Sequence, residues 1–183
     1  MGEALVPRGG APDRRDFTVV VTSMASDAHT WNLVFLQLLI EELGYHVVNL
    51  GPCVPDELLL AEVQAIDPAV VVISSVNGHG HQDGMRVIRQ LRDLRGLSAT
   101  PVVIGGKLGV TDDMAGARAR ELMAAGFDAV FEDSGDPVAA LRNFIGALPG
   151  AAPAVAGQPS AGPAQPVRAA EQTPAISGRA RGV

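Results

Sequence analysis

Between residues 16 and 148, short apolar runs rich in β-branched residues alternate five times with segments of helical periodicity. The runs are Phe17–Thr22, Tyr45–Leu50, Ala69–Ser74, Pro101–Ile104 and Asp128–Phe131. Each is too short for a stable helix, which predicts a strand. Ala69–Ser74 is apolar almost throughout, as a central parallel strand covered on both faces should be. Helices are predicted over Trp31–Leu43, with Thr30 as cap and Gly44 as stop, and over Pro55–Ala65, where Pro55 and Asp56 supply the start. Three more are predicted over Gln82–Leu94, Asp112–Ala125 (ended by Gly126) and Pro137–Leu148.

Five such units imply a parallel sheet with right-handed crossovers. The predicted fold class is α/β: a doubly wound five-stranded parallel sheet, flavodoxin- or Rossmann-like, with strand order 2-1-3-4-5. In sheets of this kind ligands sit beyond the carboxyl ends of the strands, so the loops after strands one, three, four and five should carry the chemistry. The folded unit is expected at 16–148. Residues 1–15 are rich in Gly, Pro and Arg, and their Leu5-Val6-Pro7-Arg8-Gly9 looks like part of a protease-cleavage linker, engineered or natural. Residues 149–183 are dominated by Ala, Pro, Gly, Ser and Gln without periodicity, which predicts a disordered tail.

Charge and residue usage remove several function classes. The formal net charge is −6, against the basic face that nucleic acid requires. One Trp and one Tyr give no stacking platform for bases. No apolar run reaches the roughly 18 residues of a membrane span. Charges at Arg8, Asp13, Arg14, Arg15 and Asp16 interrupt any signal-peptide pattern. The single cysteine, Cys53, has no intramolecular partner, and a reducing, cytoplasmic setting is expected.

The loop after the first strand reads Ser26-Asp27-Ala28-His29-Thr30-Trp31-Asn32. A metal-binding imidazole usually has its second nitrogen held by a carboxylate or carbonyl, and Asp27 is spaced to do that for His29. Taken alone, such a pair is more often an ordinary set of polar loop and capping residues. After the third strand comes Ser74-Ser75-Val76-Asn77-Gly78-His79-Gly80-His81, whose small residues let a ligand approach the backbone or simply make a flexible turn. His79 and His81 make a poor zinc site, which needs three or four ligands. The glycines miss the dinucleotide fingerprint, since Gly84 falls one position late. Gly105 and Gly106 follow the fourth strand and leave the sheet end bare, as a ligand site or as a tight turn. Glu132-Asp133-Ser134-Gly135-Asp136 is acidic and suits a cap for the last helix.

Together these loops resemble the cobalamin-binding domain family, and within it the small (sigma) subunits of glutamate mutase (methylaspartate mutase). That family carries D-x-H-x-x-G after strand one, S-x-L after strand three and a Gly-Gly pair after strand four. The matching residues are Asp27 and His29, Ser74 and Val76, and Gly105 and Gly106. Gly44–Gly51 resembles the family's second strand and Gly126–Phe131 its fifth. Asn32 stands where the motif has glycine, and Val76 where it has leucine.

The resemblance implies a bound adenosylcobalamin, a cobalt corrinoid, with its dimethylbenzimidazole displaced from the metal. His29 would be the lower cobalt ligand, with Asp27 hydrogen-bonded behind it. The nucleotide tail would enter a slot beside the sheet, where Ser74 bonds to it, Val76 packs on it and Gly105 and Gly106 give it room. Ala28, Thr30, Asn32, Gly78, Ser134 and Gly135 complete the implied contacts. Burial of the aromatic base would contribute about 4–6 kcal/mol before ordering costs. One charge-assisted hydrogen bond contributes about 1.5–3 kcal/mol, so the slot should set affinity and His29 the cobalt chemistry. Asn32 adds bulk and an amide needing partners, which puts the tail's geometry in question.

The family reaction converts glutamate to 3-methylaspartate by radical rearrangement, with substrate held in a barrel on a separate large subunit. The resemblance therefore implies a mutase subunit that is inactive alone and works in a heteromer, a heterotetramer being one form open to it. The alternative is a corrinoid carrier or sensor without isomerase activity, methyl transfer included. A phosphoryl-receiver domain shares the sheet order but needs an aspartate at the end of strand three, where this chain has Ser74 and Ser75.

Overall fold

A computed structural model describes residues 17–110, 114–132 and 135–148 of the chain. The segments 1–15 and 149–183, together with Asp112 and Ser134, lie outside the described residues. The strands are β1 (Thr18–Ser23), β2 (His46–Gly51), β3 (Val70–Ser75), β4 (Val102–Gly106) and β5 (Ala129–Glu132). They alternate with α1 (Trp31–Glu42), α2 (Asp56–Ile66), α3 (Gly80–Asp93), α4 (Ala115–Ala125) and α5 (Pro137–Gly146). All neighbouring strands pair in parallel, in the predicted order β2-β1-β3-β4-β5.

The period of two along each strand divides the core between two faces. Val20, Val71, Ile73, Val102 and Ile104 pack under α2, α3 and α4 through Leu59, Val63, Val87, Ile88, Leu91 and Leu122. Val19, Val21, Val70, Val72 and Val103 pack under α1 and α5 through Leu33, Ile40, Leu141 and Ile145. Every residue of β3 is buried, the four apolar residues Val70–Ile73 as a central parallel strand requires and the two serines with them. The fold is therefore a doubly wound sheet with two helices on one face and three on the other.

Two local expectations are corrected. Thr30 makes no side-chain cap bond: its own backbone is already helical (φ −83°, ψ −39°), and only its carbonyl accepts, from the Leu33 and Val34 N–H groups. Helix α3 begins at Gly80, two residues before the predicted start, so Gly80 and His81 are helical rather than loop. A Cβ on Gly80 would lie 2.7 Å from the Ser75 side chain and 2.8 Å from Leu108. The glycine is there for close packing of the helix start on the strand end, not for a turn. At the last helix the expectation holds, since Asp136 caps α5 by accepting from the Ala139 N–H at 2.9 Å.

Candidate functional site

The loop that leaves β1 at the carboxyl edge of the sheet is organised around Asp27. Its side chain is buried, and both of its oxygens are used. Oδ1 accepts from the His29 backbone N–H at 3.1 Å and lies 2.7 Å from His29 Nδ1. Oδ2 accepts from the backbone N–H groups of Val76 (2.6 Å) and Asn77 (3.3 Å), in the loop after β3. The Asp27 carbonyl in turn accepts from Ser23 Oγ and the Cys53 N–H, each at 2.9 Å. Burial is the largest single influence on this carboxyl and pushes its pKa up. The hydrogen bonds from Val76, His29 and Asn77 together outweigh it and hold the group below the usual carboxylate range.

An ionised carboxylate only accepts. In a neutral His29 ring the proton therefore sits on Nδ1, facing Asp27, and the Nε2 lone pair is left for a ligand. The His29 side chain is 56% exposed, with its Nδ1 edge turned to the buried carboxylate. Ala28 and Thr30 are exposed on either side of it.

Beside this loop a cleft of about 260 Å³ opens on the α1/α5 face of the sheet. Asn32, Phe35 and Leu36 of α1 form one wall, and Pro137, Val138 and Leu141 of α5 the other. Its floor is Val72, Ser74, Val103, Gly105 and Phe131. The floor follows from strand register: Ser74 pairs with Gly105, and Gly105 with Phe131. Small residues at the ends of two adjacent central strands leave a gap that longer side chains would fill. A Cβ on Gly105 would come within 2.9 Å of the Phe131 carbonyl oxygen and 3.1 Å of its Cβ. The cleft has room for a bicyclic aromatic ring but not for a tetrapyrrole.

Ser74 is 3% exposed, and its Oγ accepts a hydrogen bond from Asn32 Nδ2. Gly106 also lines the cleft, and its backbone has φ +93°, where a Cβ would collide with the Ser75 carbonyl oxygen. Its glycine is thus demanded by the strand end itself. Val76 is half-buried and is not among the residues that line the cleft, and its backbone N–H donates to Asp27 Oδ2. Gly78 (φ +83°) packs its backbone against Gly109, and Gly135 stands exposed ahead of α5. His81 approaches Glu121 at 2.9 Å, and the His79 N–H donates to Asn77 Oδ1 at 2.9 Å, so the two histidines are engaged separately.

A polar network braces the loop from the other side, and sequence reasoning missed it. Ser26 Oγ donates to Asp83 Oδ2, and Arg86 bonds Asp83 at 2.6 Å and Asp56 at 2.7 and 3.0 Å. Asn77 Nδ2 donates to the Ser26 carbonyl at 2.7 Å. The one available signal was the i, i+3 spacing of Asp83 and Arg86, which also fits an ordinary exposed helix face.

A parallel sheet of this order, with a carboxylate-held imidazole and an apolar cleft at its carboxyl edge, is a ligand-binding module of the doubly wound α/β class. The B12-binding domain family matches residues 17–142, and the chain belongs to that family. A relative from Haloarcula marismortui, glutamate mutase sigma subunit 2, is 32% identical over 125 residues, or 68% of this chain and 83% of the relative. A relative from Halobacterium salinarum, also a glutamate mutase sigma subunit, is 34% identical over 116 residues, or 63% and 76% of the two chains. Among solved structures, a cobalamin-binding protein from Desulfitobacterium hafniense superposes with a TM-score of 0.54 at 20% identity, covering 72% of this chain and 60% of that one. The methanol:cobalamin methyltransferase complex of Methanosarcina barkeri gives 0.53 at 22%, covering 77% and 50%. The two structural likenesses show the shared fold, and the family expected from the three loop motifs is the family found.

The residues present fit a corrinoid. His29 offers one nitrogen lone pair with its other nitrogen fixed. The cleft is apolar and open at the same edge of the sheet. The buried Ser74 hydroxyl keeps a donor for which the described residues supply no acceptor.

Proposed function

We propose that the chain is the adenosylcobalamin-binding small subunit of a glutamate mutase-like isomerase, converting glutamate to 3-methylaspartate with a separate large subunit whose barrel holds the substrate. The observation that carries this reading is the Asp27–His29 pair, set beside the Ser74 cleft in a B12-binding domain similar to glutamate mutase sigma subunits. Adenosylcobalamin supplies the radical that starts the rearrangement. This chain's residues bind and orient it. His29 would hold the cobalt through Nε2, and Asp27 fixes the ring's tautomer and direction. The cleft floor at Ser74 and Gly105 and the walls from α1 and α5 would hold the cofactor's nucleotide base out of water. The assembly is a cytoplasmic heteromer, and the chain alone turns over no substrate.

The test is reconstitution. The purified chain is mixed with a candidate large subunit, adenosylcobalamin and glutamate, and 3-methylaspartate is measured. Product should appear only when both proteins and the cofactor are present. Tight corrinoid binding without turnover alongside any barrel partner would instead make the chain a carrier or sensor.

A further inference from the structure

Asn32 stands on the first turn of α1 and Ser74 at the end of β3, 42 residues apart in sequence, and the two meet where one wall of the cleft joins its floor. A serine hydroxyl has one proton to give and can accept from two directions. The Asn32 amide nitrogen only donates, so the Ser74 oxygen must be the acceptor in this pair. That leaves the hydroxyl proton free. Ser74 is almost wholly buried and lines the cleft, and among the described residues nothing accepts this proton.

We propose that Asn32 is a positioning residue: by donating to Ser74 Oγ it turns the hydroxyl proton into the cleft and so selects a nucleotide base that carries a bare ring nitrogen. The proposal deepens the corrinoid reading and rests on it. Glycine at this position, as in the family motif, would leave the Ser74 hydroxyl free to rotate and to present either its proton or its lone pairs. With Asn32 in place, its rotation is restricted before the ligand arrives, and ligands that offer only carbon or a donor at that point are disfavoured. Turning the Asn32 amide over would bring Oδ1 to the hydroxyl, and Ser74 would then donate to Asn32 and offer the cleft only lone pairs.

The experiment compares affinities of the full chain for three probes, read by absorption change and by Trp31 fluorescence. Cobalamin has a benzimidazole with a ring-nitrogen acceptor. A phenolic-tailed corrinoid has an aromatic tail without one. Cobinamide has no nucleotide tail. The wild-type chain should prefer cobalamin over the phenolic corrinoid, and Asn32→Gly, whose Ser74 hydroxyl can still donate but is no longer turned, should cut that preference by up to about fivefold, the worth of one neutral hydrogen bond. Asn32→Asp has nearly the same shape but accepts the Ser74 proton, so it should bind cobalamin more weakly than Asn32→Gly does. Unfolding midpoints of both variants separate this from a loss of fold, and the ratio between probes cancels any general loosening. An unchanged preference in Asn32→Gly, with cobalamin still bound better than cobinamide, overturns the positioning role and leaves the corrinoid reading standing. A preference for the phenolic corrinoid in the wild type overturns it in favour of the reversed amide. Equal affinity for cobalamin and cobinamide overturns the proposal and the corrinoid-tail reading together.

Discussion

Asp27 Oδ2 takes the Val76 backbone N–H at 2.6 Å, across 49 residues of sequence, while Oδ1 of the same carboxylate holds His29. One buried side chain therefore ties the loop after β1 to the loop after β3 and aims the imidazole. Removing it should damage both roles. Asp27→Ala leaves the Val76 and His29 N–H groups short of an acceptor, a loss of about 1–3 kcal/mol per buried group. Loss of a carboxylate behind a metal-bound histidine typically costs about 10–100-fold in metal affinity. Asp27→Ala should thus weaken corrinoid binding by more than its drop in thermal stability explains. Parallel titration and thermal melts check this, and a fall in stability with unchanged corrinoid affinity would refute the second role.

His29→Ala tests the ligand itself. The side chain is largely solvent-facing, so the variant should fold with a melting midpoint close to that of the wild type. With added cobalamin in its paramagnetic state, the wild type should show splitting from a protein nitrogen that shifts when histidine is labelled with nitrogen-15. The variant should lack that splitting. Trp31 is the chain's one tryptophan, two residues from His29 and 85% exposed, so its fluorescence should fall as the coloured cofactor binds. A nitrogen signal that survives in His29→Ala would move the ligand role to another residue.

The alternation of strands and helices was legible because it is local. β-branched runs, helix stops at Gly44 and Gly126 and the proline at the start of α5 each act within a few residues. The Asp27–His29 pair was legible for the same reason, being two residues apart. What escaped depends on contacts across the fold. The Asn32–Ser74 bond spans 42 residues, Ser26–Asp83 spans 57, and Arg86–Asp56 spans 30. Gly80 read as turn chemistry because a sequence does not say what a missing Cβ would have touched. The Val76 N–H that holds the Asp27 carboxylate is likewise invisible in a sequence, since an N–H is common to every residue except proline.

The two adjacent glycines should separate by phenotype. Gly106→Ala introduces a Cβ at φ +93° facing the Ser75 carbonyl, so its cost should fall on stability, at about 2 kcal/mol or more. Gly105→Ala places its Cβ in the crowded floor against Phe131 and narrows the cleft. Its loss of affinity for cobalamin should exceed its loss for cobinamide, which has no tail to accommodate. Denaturant melts and titrations with both corrinoids read the two effects. Equal losses for the two corrinoids in Gly105→Ala would mean that the gap takes no tail.

Acid should loosen the brace behind the loop in a predictable direction. Hydrogen bonds and charge from Arg86 hold the Asp56 carboxyl below its ordinary value of 3.8, against the opposing effect of burial. Arg86 is held more firmly protonated in return by Asp56 and Asp83. A carboxyl whose pKa is depressed on folding adds stability that is fully present above the unfolded value and disappears as pH falls through the folded one. The Asp56 contribution is therefore intact at neutral pH and fades below about pH 4. Asp56→Asn should lower the melting midpoint at pH 7, and the gap from wild type should shrink as pH drops below 3.8. Arg86 is 46% exposed, so solvent screening keeps the effect at neutral pH to about 1 kcal/mol. A gap that stays constant down to pH 2.5 would show that the Asp56–Arg86 pair contributes through shape alone, and the acid sensitivity of the fold would then have to come from other carboxylates.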